Sequence, residues 1–249
     1  MTTAEIKQIS KVNFVEENRQ LTYEENVVVI GVEDLNDQRL EGLAKLYADV
    51  FAPPPWNEAV KCDSCESFRG VETSIGSRCE CGGTFYEAYP LEETMEYIRE
   101  EAAKPGFRLA LIEEDNEVVA FAWSYLISPN DLAVKKWDLE EDQRAVIDLL
   151  KQRTNGNGEI RYLSECGISP VARGKGLANK LTECVQGPEI SVIRTNCSSP
   201  MMAVAERMGY EQLMGKKMII DRSKKVFIDT GEIANRLDTQ NPQRTLLAR

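Results

Sequence analysis

The spacing of apolar residues changes along the chain, and each change predicts an element. Val27-Val-Val-Ile-Gly-Val32 is an unbroken apolar run of strand length. From Asn36 the spacing becomes helical, with Leu40, Leu43, Ala44, Leu46 and Val50 recurring at three- and four-residue steps. That helix must stop at Pro53-Pro-Pro55, which offers no amide donors. A second helix, Leu91 to Lys104, carries Met95, Ile98 and Ala102 on one face, between Pro90 and Pro105-Gly106. Leu109 to Ile112 and Val118 to Leu126 read as strands joined by a turn at Asp115-Asn116. A polar, helix-like segment, Leu139 to Gln152, closes at Asn155-Gly-Asn-Gly158.

The back half alternates strand and helix. Strands are predicted at Tyr162 to Ile168, Ile190 to Arg194 and Leu213 to Ile220. Helices are predicted at Gly176 to Val185 and Pro200 to Met208, and Val226 to Ile228 adds a short strand. This order predicts an α/β (α+β mixed) domain, a central mixed sheet with helices on both faces. The boundaries are a polar arm over 1–25, a domain over 26–222, and a short strand and polar tail over 223–249. Two inserts interrupt the domain, one cysteine-rich at 60–86 and one helical at 128–158.

Composition narrows the chemistry. The 249 residues include 41 acidic and 30 basic side chains, a net charge of −11, and no histidine. Without imidazole, Ser-His-Asp and Cys-His catalysis and His-ligated zinc hydrolysis are excluded. The acidic balance argues against nucleic acid or a membrane surface as partner, since both call for a basic face. The opening Met1-Thr-Thr-Ala-Glu-Ile-Lys7 is polar and no apolar run approaches the ~20 residues of a membrane span, so the expected location is cytoplasmic.

Four of the seven cysteines fall within twenty residues, as Cys62-Asp-Ser-Cys65 and Cys79-Glu-Cys81-Gly82-Gly83. In a cytoplasmic chain this reads as a metal site before a disulfide pair. Four thiolates without imidazole suit tetrahedral Zn²⁺ in a closed, structural site, with a redox dithiol and an iron–sulfur centre as rivals. Cys166, Cys184 and Cys197 stand singly in apolar segments and read as small core residues.

The densest signal is Leu163-Ser-Glu-Cys-Gly-Ile-Ser-Pro-Val-Ala-Arg173-Gly-Lys-Gly176-Leu-Ala178. An apolar strand runs into a glycine-rich basic turn that opens an amphipathic helix, a design that cradles phosphate on backbone N–H groups. A dinucleotide fingerprint starting at Gly174 fails at Asn179, and a Walker loop fails at Gly176. The arrangement resembles the GNAT superfamily of N-acetyltransferases. Its Arg/Gln-x-x-Gly-x-Gly/Ala signature is met by Arg173-Gly-Lys-Gly176-Leu-Ala178, and a second segment matches at Asn196 and Ala205-Glu-Arg-Met-Gly209-Tyr210. The resemblance covers roughly 27–222 in element order and is specific over about 160–215; the cysteine insert is no part of it.

The resemblance implies an acetyl-CoA-dependent N-acyltransferase that acts by direct attack of an amine. CoA pyrophosphate would be held by the amides of Arg173, Gly174, Lys175, Gly176, Leu177 and Ala178. Pantetheine would lie along the strand ending at Cys166 and Ile168, opposite Asn196, with an oxyanion donor near Ile168. Glu165 is the candidate base. The family often places a tyrosine acid four residues before the Gly of its Gly-aromatic pair, where this chain has Ala205; Ser198, Ser199, Tyr210 or water would substitute. Trp56, Phe85 and Tyr86 are candidate acceptor-pocket walls beside the zinc-ribbon-like insert, or alternatively its small core, and 128–158 is a candidate lid. The expected partners are acetyl-CoA and an amine, on a small molecule or peptide, with a homodimer left open. A reading from another class is a catalytically weak acyl-CoA-binding regulator that docks a partner through the zinc module.

Overall fold

The computed structural model describes residues 27–154, 158–221, 223, 226–239 and 241–249; the arm expected over 1–25 lies outside them. The chain divides into two compact units. Two strands run through both: β6 (Glu117–Ile127), with residues to 122 in the first unit, and β7 (Ile160–Ile168), with residues from 166 in it.

In the first unit β1 (Val27–Ile30) pairs antiparallel with β5 (Arg108–Glu114), from Val27↔Ile112 to Ile30↔Leu109, and β6 follows. Asp115 and Asn116 join β5 to β6 at φ 51° and 66°, the left-handed pair that a tight hairpin needs. Helix α1 (Asp37–Phe51) is capped by Asn36, whose side chain accepts from the Arg39 N–H at 2.9 Å. It buries Leu40, Leu43, Ala44, Leu46 and Val50, the face its spacing predicts, together with Tyr47 and Phe51. Helix α2 (Leu91–Ala102) buries Met95, Ile98 and Ala102. Between the two helices sits a separate three-stranded sheet, ordered β3 (Phe68–Arg69), β2 (Val60–Cys62), β4 (Phe85–Glu87). Helix α5 (Leu177–Cys184) completes the unit.

The second unit holds α3 (Pro129–Lys136) and α4 (Glu140–Arg153), then β7 to residue 165, β8 (Ser191–Asn196), α6 (Pro200–Arg207), β9 (Glu211–Asp221), β10 (Val226–Ala234) and β11 (Arg244–Ala248). Its strands run in the order β6-β7-β8-β11-β9-β10. β7 and β8 are parallel, and the remaining pairs from β8 to β10 are antiparallel, so the sheet is mixed. Buried Arg161 ties this unit together: its guanidinium donates to Glu189, the Gly106 carbonyl and the Ser124 hydroxyl at 2.9–3.2 Å.

Two expectations change. The short strand read at Val226 to Ile228 is the start of the longer β10, and the stretch read as a polar tail supplies β11, which inserts between β8 and β9 with Leu246, Leu247 and Ala248 buried. Pairing on both edges recruits this strand, which local composition does not announce. The 128–158 insert contains two helices where one was read; the first starts at Ser128, whose hydroxyl accepts from the Asp131 N–H at 3.0 Å. Fully buried Asp142 of α4 accepts from the Thr239 N–H (2.9 Å), the Thr239 hydroxyl (3.0 Å) and Arg236 (2.7 Å). No helix among the described residues is long and apolar enough to cross a membrane.

Candidate functional site

β7 ends at Ile168, and a short 3-10 turn, Pro170–Ala172, carries the chain to Arg173. Gly174 (φ +84°) and Gly176 (φ +81°) both take the left-handed conformation, with open space where a Cβ would stand. Only glycine adopts this without strain, which explains the Gly-Lys-Gly spacing. Arg173 is exposed, and its Nε donates to the Ile168 carbonyl at 3.2 Å, tying the turn to the strand end. The Asn179 N–H is spent on the Gly176 carbonyl, while the earlier N–H groups at the head of α5 have no partner within the helix. The turn brings two cations, Arg173 and Lys175, to the head of α5. Anions are what such a surface binds. Arg173, Gly174, Lys175, Gly176, Leu177 and Ala178 therefore lie together, one turn beyond Cys166 and Ile168.

Gly167, just before the strand end, has a different role. A Cβ there would lie 2.4 Å from Phe121 Cε1, so the close approach of the Phe121 ring requires glycine.

Among the described residues the β7–β8 ladder runs from Arg161↔Ser191 to Leu163↔Ile193. Both strands continue beyond this ladder: β7 through Ser164 and Glu165, and β8 through Arg194 to Asn196, whose other edge is held by β11. Glu165 is half-buried on β7, two residues beyond the end of that ladder. The Asn196 side chain accepts from the Ser198 N–H (3.0 Å) and hydroxyl (2.9 Å). Ser199 is buried and bonded to Thr195 at 2.8 Å, whereas Ser198 is exposed.

Tyr210 is not brought to this end of β8. Its hydroxyl bonds Ser191 at 2.6 Å and accepts from Gln186 at 2.9 Å, at the start of β8. Five strand steps, roughly 16 Å, separate Ser191 from Asn196. Burial pushes the Tyr210 hydroxyl above its ordinary value, against the lowering effect of those two hydrogen bonds. It behaves as a neutral packing group. Ala205 is fully buried.

The four clustered cysteines do converge. Their Sγ atoms all lie within 4.8 Å of one another, with Cys62···Cys81 at 3.4 Å and Cys65···Cys79 at 3.7 Å. A tetrahedral ion with metal–sulfur bonds of ~2.3 Å requires sulfur separations of ~3.8 Å, so the set could hold one ion. Amides approach the sulfurs as ligand loops require: Ser64 N–H to Cys62 and Gly83 N–H to Cys81, each at 3.5 Å. The Ser67 hydroxyl lies 3.1 Å from Cys65 Sγ and 3.8 Å from Cys79 Sγ. Hydrogen bonds from Ser67 bring the Cys65 thiol down to about 6, and the Cys81 N–H lowers Cys79. Although the Gly83 N–H lowers Cys81, its neighbours Cys65 and Cys62 push it up to about 12. Asp63 accepts from the Thr84 N–H and the Ser64 hydroxyl, each at 2.9 Å, and those bonds hold its carboxyl below the usual range. Ser67 and Asp63 carry no sequence signal of these roles; Gly83 does, in Cys-Gly-Gly.

The aromatic residues sort by packing. Phe85 lies in the insert's own small core with Val60, Cys62 and Cys79, so it is no pocket wall. Trp56 packs on Phe51 with centroids 5.5 Å apart, in a group where Tyr47 meets Phe51, Tyr89, Tyr97 and Phe121. Tyr86 is half-buried on β4, opposite Lys61 in the ladder. Sequence reading also missed Arg194, stacked over Trp137 at 4.7 Å and paired with Asp238 at 2.6 Å. Those partners lie 57 and 44 residues away, and no local pattern links them.

No protein-family model and no curated protein sequence matches the chain significantly. Among solved structures it is similar to arylalkylamine N-acetyltransferase 2 from Aedes aegypti, at 12% identity and a TM-score of 0.48 over 90% of this chain and 98% of that one. It is also similar to a polyamine N-acetyltransferase from Drosophila melanogaster, at 13% identity and a TM-score of 0.47, over 90% and 99% of the two chains. Likeness at this level leaves the chemistry to be argued from the chain's own residues.

Proposed function

We propose that the chain is an acetyl-CoA-dependent N-acyltransferase that moves an acetyl group to a primary amine. The observation that carries this reading is the turn from Arg173 to Ala178. Two left-handed glycines, two cations and a helix start on the end of an apolar strand suit a pyrophosphate. In this reading the pantetheine arm follows the end of β7, from Ser164 to Ile168.

The neutral amine attacks the thioester carbonyl, and a backbone N–H near Ile168 stabilises the oxyanion that forms. Glu165, directly or through a water, takes the ammonium proton as the carbon–nitrogen bond forms. Collapse of the tetrahedral intermediate breaks the carbon–sulfur bond and expels the CoA thiolate. Ser198 or water would return a proton to that sulfur, since the Tyr210 hydroxyl is bonded to Ser191 and Gln186. The Cys62, Cys65, Cys79 and Cys81 set would hold one structural Zn²⁺ and so stiffen the link between α1 and α2; four sulfur ligands would leave no open position for catalysis.

A second reading, an acyl-CoA-binding regulator, draws on buried Ala205 standing where the family often has its acid. One experiment separates the two. The protein is incubated with acetyl-CoA and a panel of amines while released thiol is titrated. Thiol release supports the enzyme; tight CoA binding with no release on any amine supports the regulator. The double variant Arg173→Glu/Gly176→Asp is expected to lose CoA binding, and unchanged affinity in a folded variant would refute the cradle.

A further inference from the structure

Phe68 takes no part in the core of the cysteine insert that carries it. That core is Val60, Cys62, Cys79 and Phe85. Phe68, on β3, is 38% exposed and packs instead on Tyr89, with the rings 6.2 Å apart and 24° from parallel. Tyr89 stands at the neck of the insert, next to Pro90 at the head of α2. Hydrogen bonds fix this neck. The Ala88 N–H donates to the Ala59 carbonyl at 3.1 Å, the Ala59 N–H to the Arg69 carbonyl at 2.8 Å, and the Tyr89 hydroxyl to the Glu58 carboxylate.

From Tyr89 the packing runs inward. Its ring meets Tyr47 edge-on at 5.2 Å, and Tyr47 stacks on Phe121 at 6.2 Å with 17° between the planes. Tyr47 and Phe121 are both buried. Phe121 in turn abuts Gly167, where a Cβ would stand 2.4 Å from its Cε1 and 2.5 Å from its Cζ. Two residues further on, the Ser169 N–H donates at 2.9 Å to the carbonyl of Val119, which precedes Phe121 by two residues on β6. The end of β7 is therefore set from β6 by a backbone hydrogen bond and by a ring edge. Phe68, Tyr89, Tyr47, Phe121, Gly167 and Ser169 all belong to the first unit.

We propose that the cysteine insert is a positioning element for acyl transfer, acting through this series of rings. Phe68 and Tyr89 hold Tyr47, Tyr47 holds the Phe121 ring against Gly167, and the ring sets the strand end that carries the Ile168 N–H. Close-packed interiors transmit a displacement to their neighbours, because no free volume absorbs it. A shift of ~1 Å in a reacting geometry costs ~10²-fold in rate, so a small movement at the neck is enough to matter. Phe68 and Tyr89 are positioning residues, since they act through Phe121 and not by contact with the reacting atoms. The link to acyl transfer rests on the function proposed above; the packing series stands without it.

The sequence itself supplies the probe. Cys-Gly occurs twice, at Cys81-Gly82 in the insert and at Cys166-Gly167 on the strand end. Labelling the full chain with carbonyl-¹³C cysteine and ¹⁵N glycine therefore isolates two backbone N–H signals by magnetic resonance. Tyr89→Leu is expected to move the Gly167 signal, and Phe68→Ala to move it in the same direction by less. Val71→Ala, at another exposed position of the insert, is expected to leave it in place. Circular dichroism checks that each variant is folded. With thiol release as the assay, Tyr89→Leu and Phe68→Ala are expected to lower kcat by ~10–10²-fold. The Kd for CoA is expected to keep its wild-type value, because the turn from Arg173 to Ala178 is untouched. A Gly167 signal that stays in place in folded Tyr89→Leu or Phe68→Ala protein overturns the proposal. So does a signal that moves while kcat holds. Wild-type protein that releases no thiol on any amine refutes the acyltransferase reading, and the Gly167 signal then still upholds or overturns the positioning of the strand end.

Discussion

Replacing Gly83 by alanine tests the cysteine cluster at its tightest point. Gly83 is outside the left-handed region, so alanine meets no backbone strain there and only space decides the outcome. The added Cβ would lie 2.6 Å from Cys62 Sγ, 2.6 Å from Asp63 Oδ1 and 2.7 Å from Ser64 Oγ. Comfortable heavy-atom contact is ~3.5–4.0 Å, so the Cys62 sulfur must retreat by roughly 1 Å. Metal–ligand distances tolerate only about 0.2 Å, so one ligand arm has to swing out or the loop has to open. Disturbance of the shell around a metal commonly costs ~10–100-fold in affinity, or ~1.4–2.8 kcal/mol. The assay is competition between zinc-loaded protein and a chromophoric chelator, wild type against Gly83→Ala. A variant within about threefold of wild type would fall short of that loss and refute the packing argument. Protein that never carries zinc would refute the site itself.

Two further outcomes follow from buried polar groups. Tyr210→Phe deletes two hydrogen bonds and is expected to lose ~1–3 kcal/mol of stability in denaturant unfolding at neutral pH. Because burial raises the Tyr210 pKa, its contribution is complete below about pH 10 and is lost as pH climbs through the folded value. The gap between wild type and variant should therefore narrow above about pH 10; a constant gap would contradict the burial of this hydroxyl. Asp142→Ala removes the acceptor of both Thr239 donors and one of the two carboxylates beside Arg236, Glu141 being the other, and should cost ~1.5–3 kcal/mol, lowering the melting temperature by ~3–12 °C. Thermal unfolding checks this, and a fall of less than about 3 °C would mean that α4 does not depend on the network.

Local chemistry was legible in the sequence wherever one segment carries both signal and structure. Asn36 and Pro53 bound α1, the Asp115-Asn116 turn makes its hairpin, Gly174 and Gly176 mark the two left-handed positions, and Cys62, Cys65, Cys79 and Cys81 do meet. In each case the cause acts over a few residues: a cap, a left-handed φ, or short ligand spacing on a small sheet. What sequence could not decide depends on partners far along the chain. Tyr210 looked reactive, but Ser191 and Gln186 hold it at the start of β8. The polar-looking C-terminus supplies β11 because β8 and β9 each offer it an edge. Arg194, Trp137 and Asp238 form one cluster that no window of sequence contains. The sequence by itself determined the elements, the turn chemistry and the sulfur ligands, through short-range steric and hydrogen-bonding preferences. Only the tertiary structure decided how far the β7–β8 ladder runs, which tyrosine is spent on packing and where the C-terminal strand inserts, because those depend on long-range pairing, which local patterns do not encode.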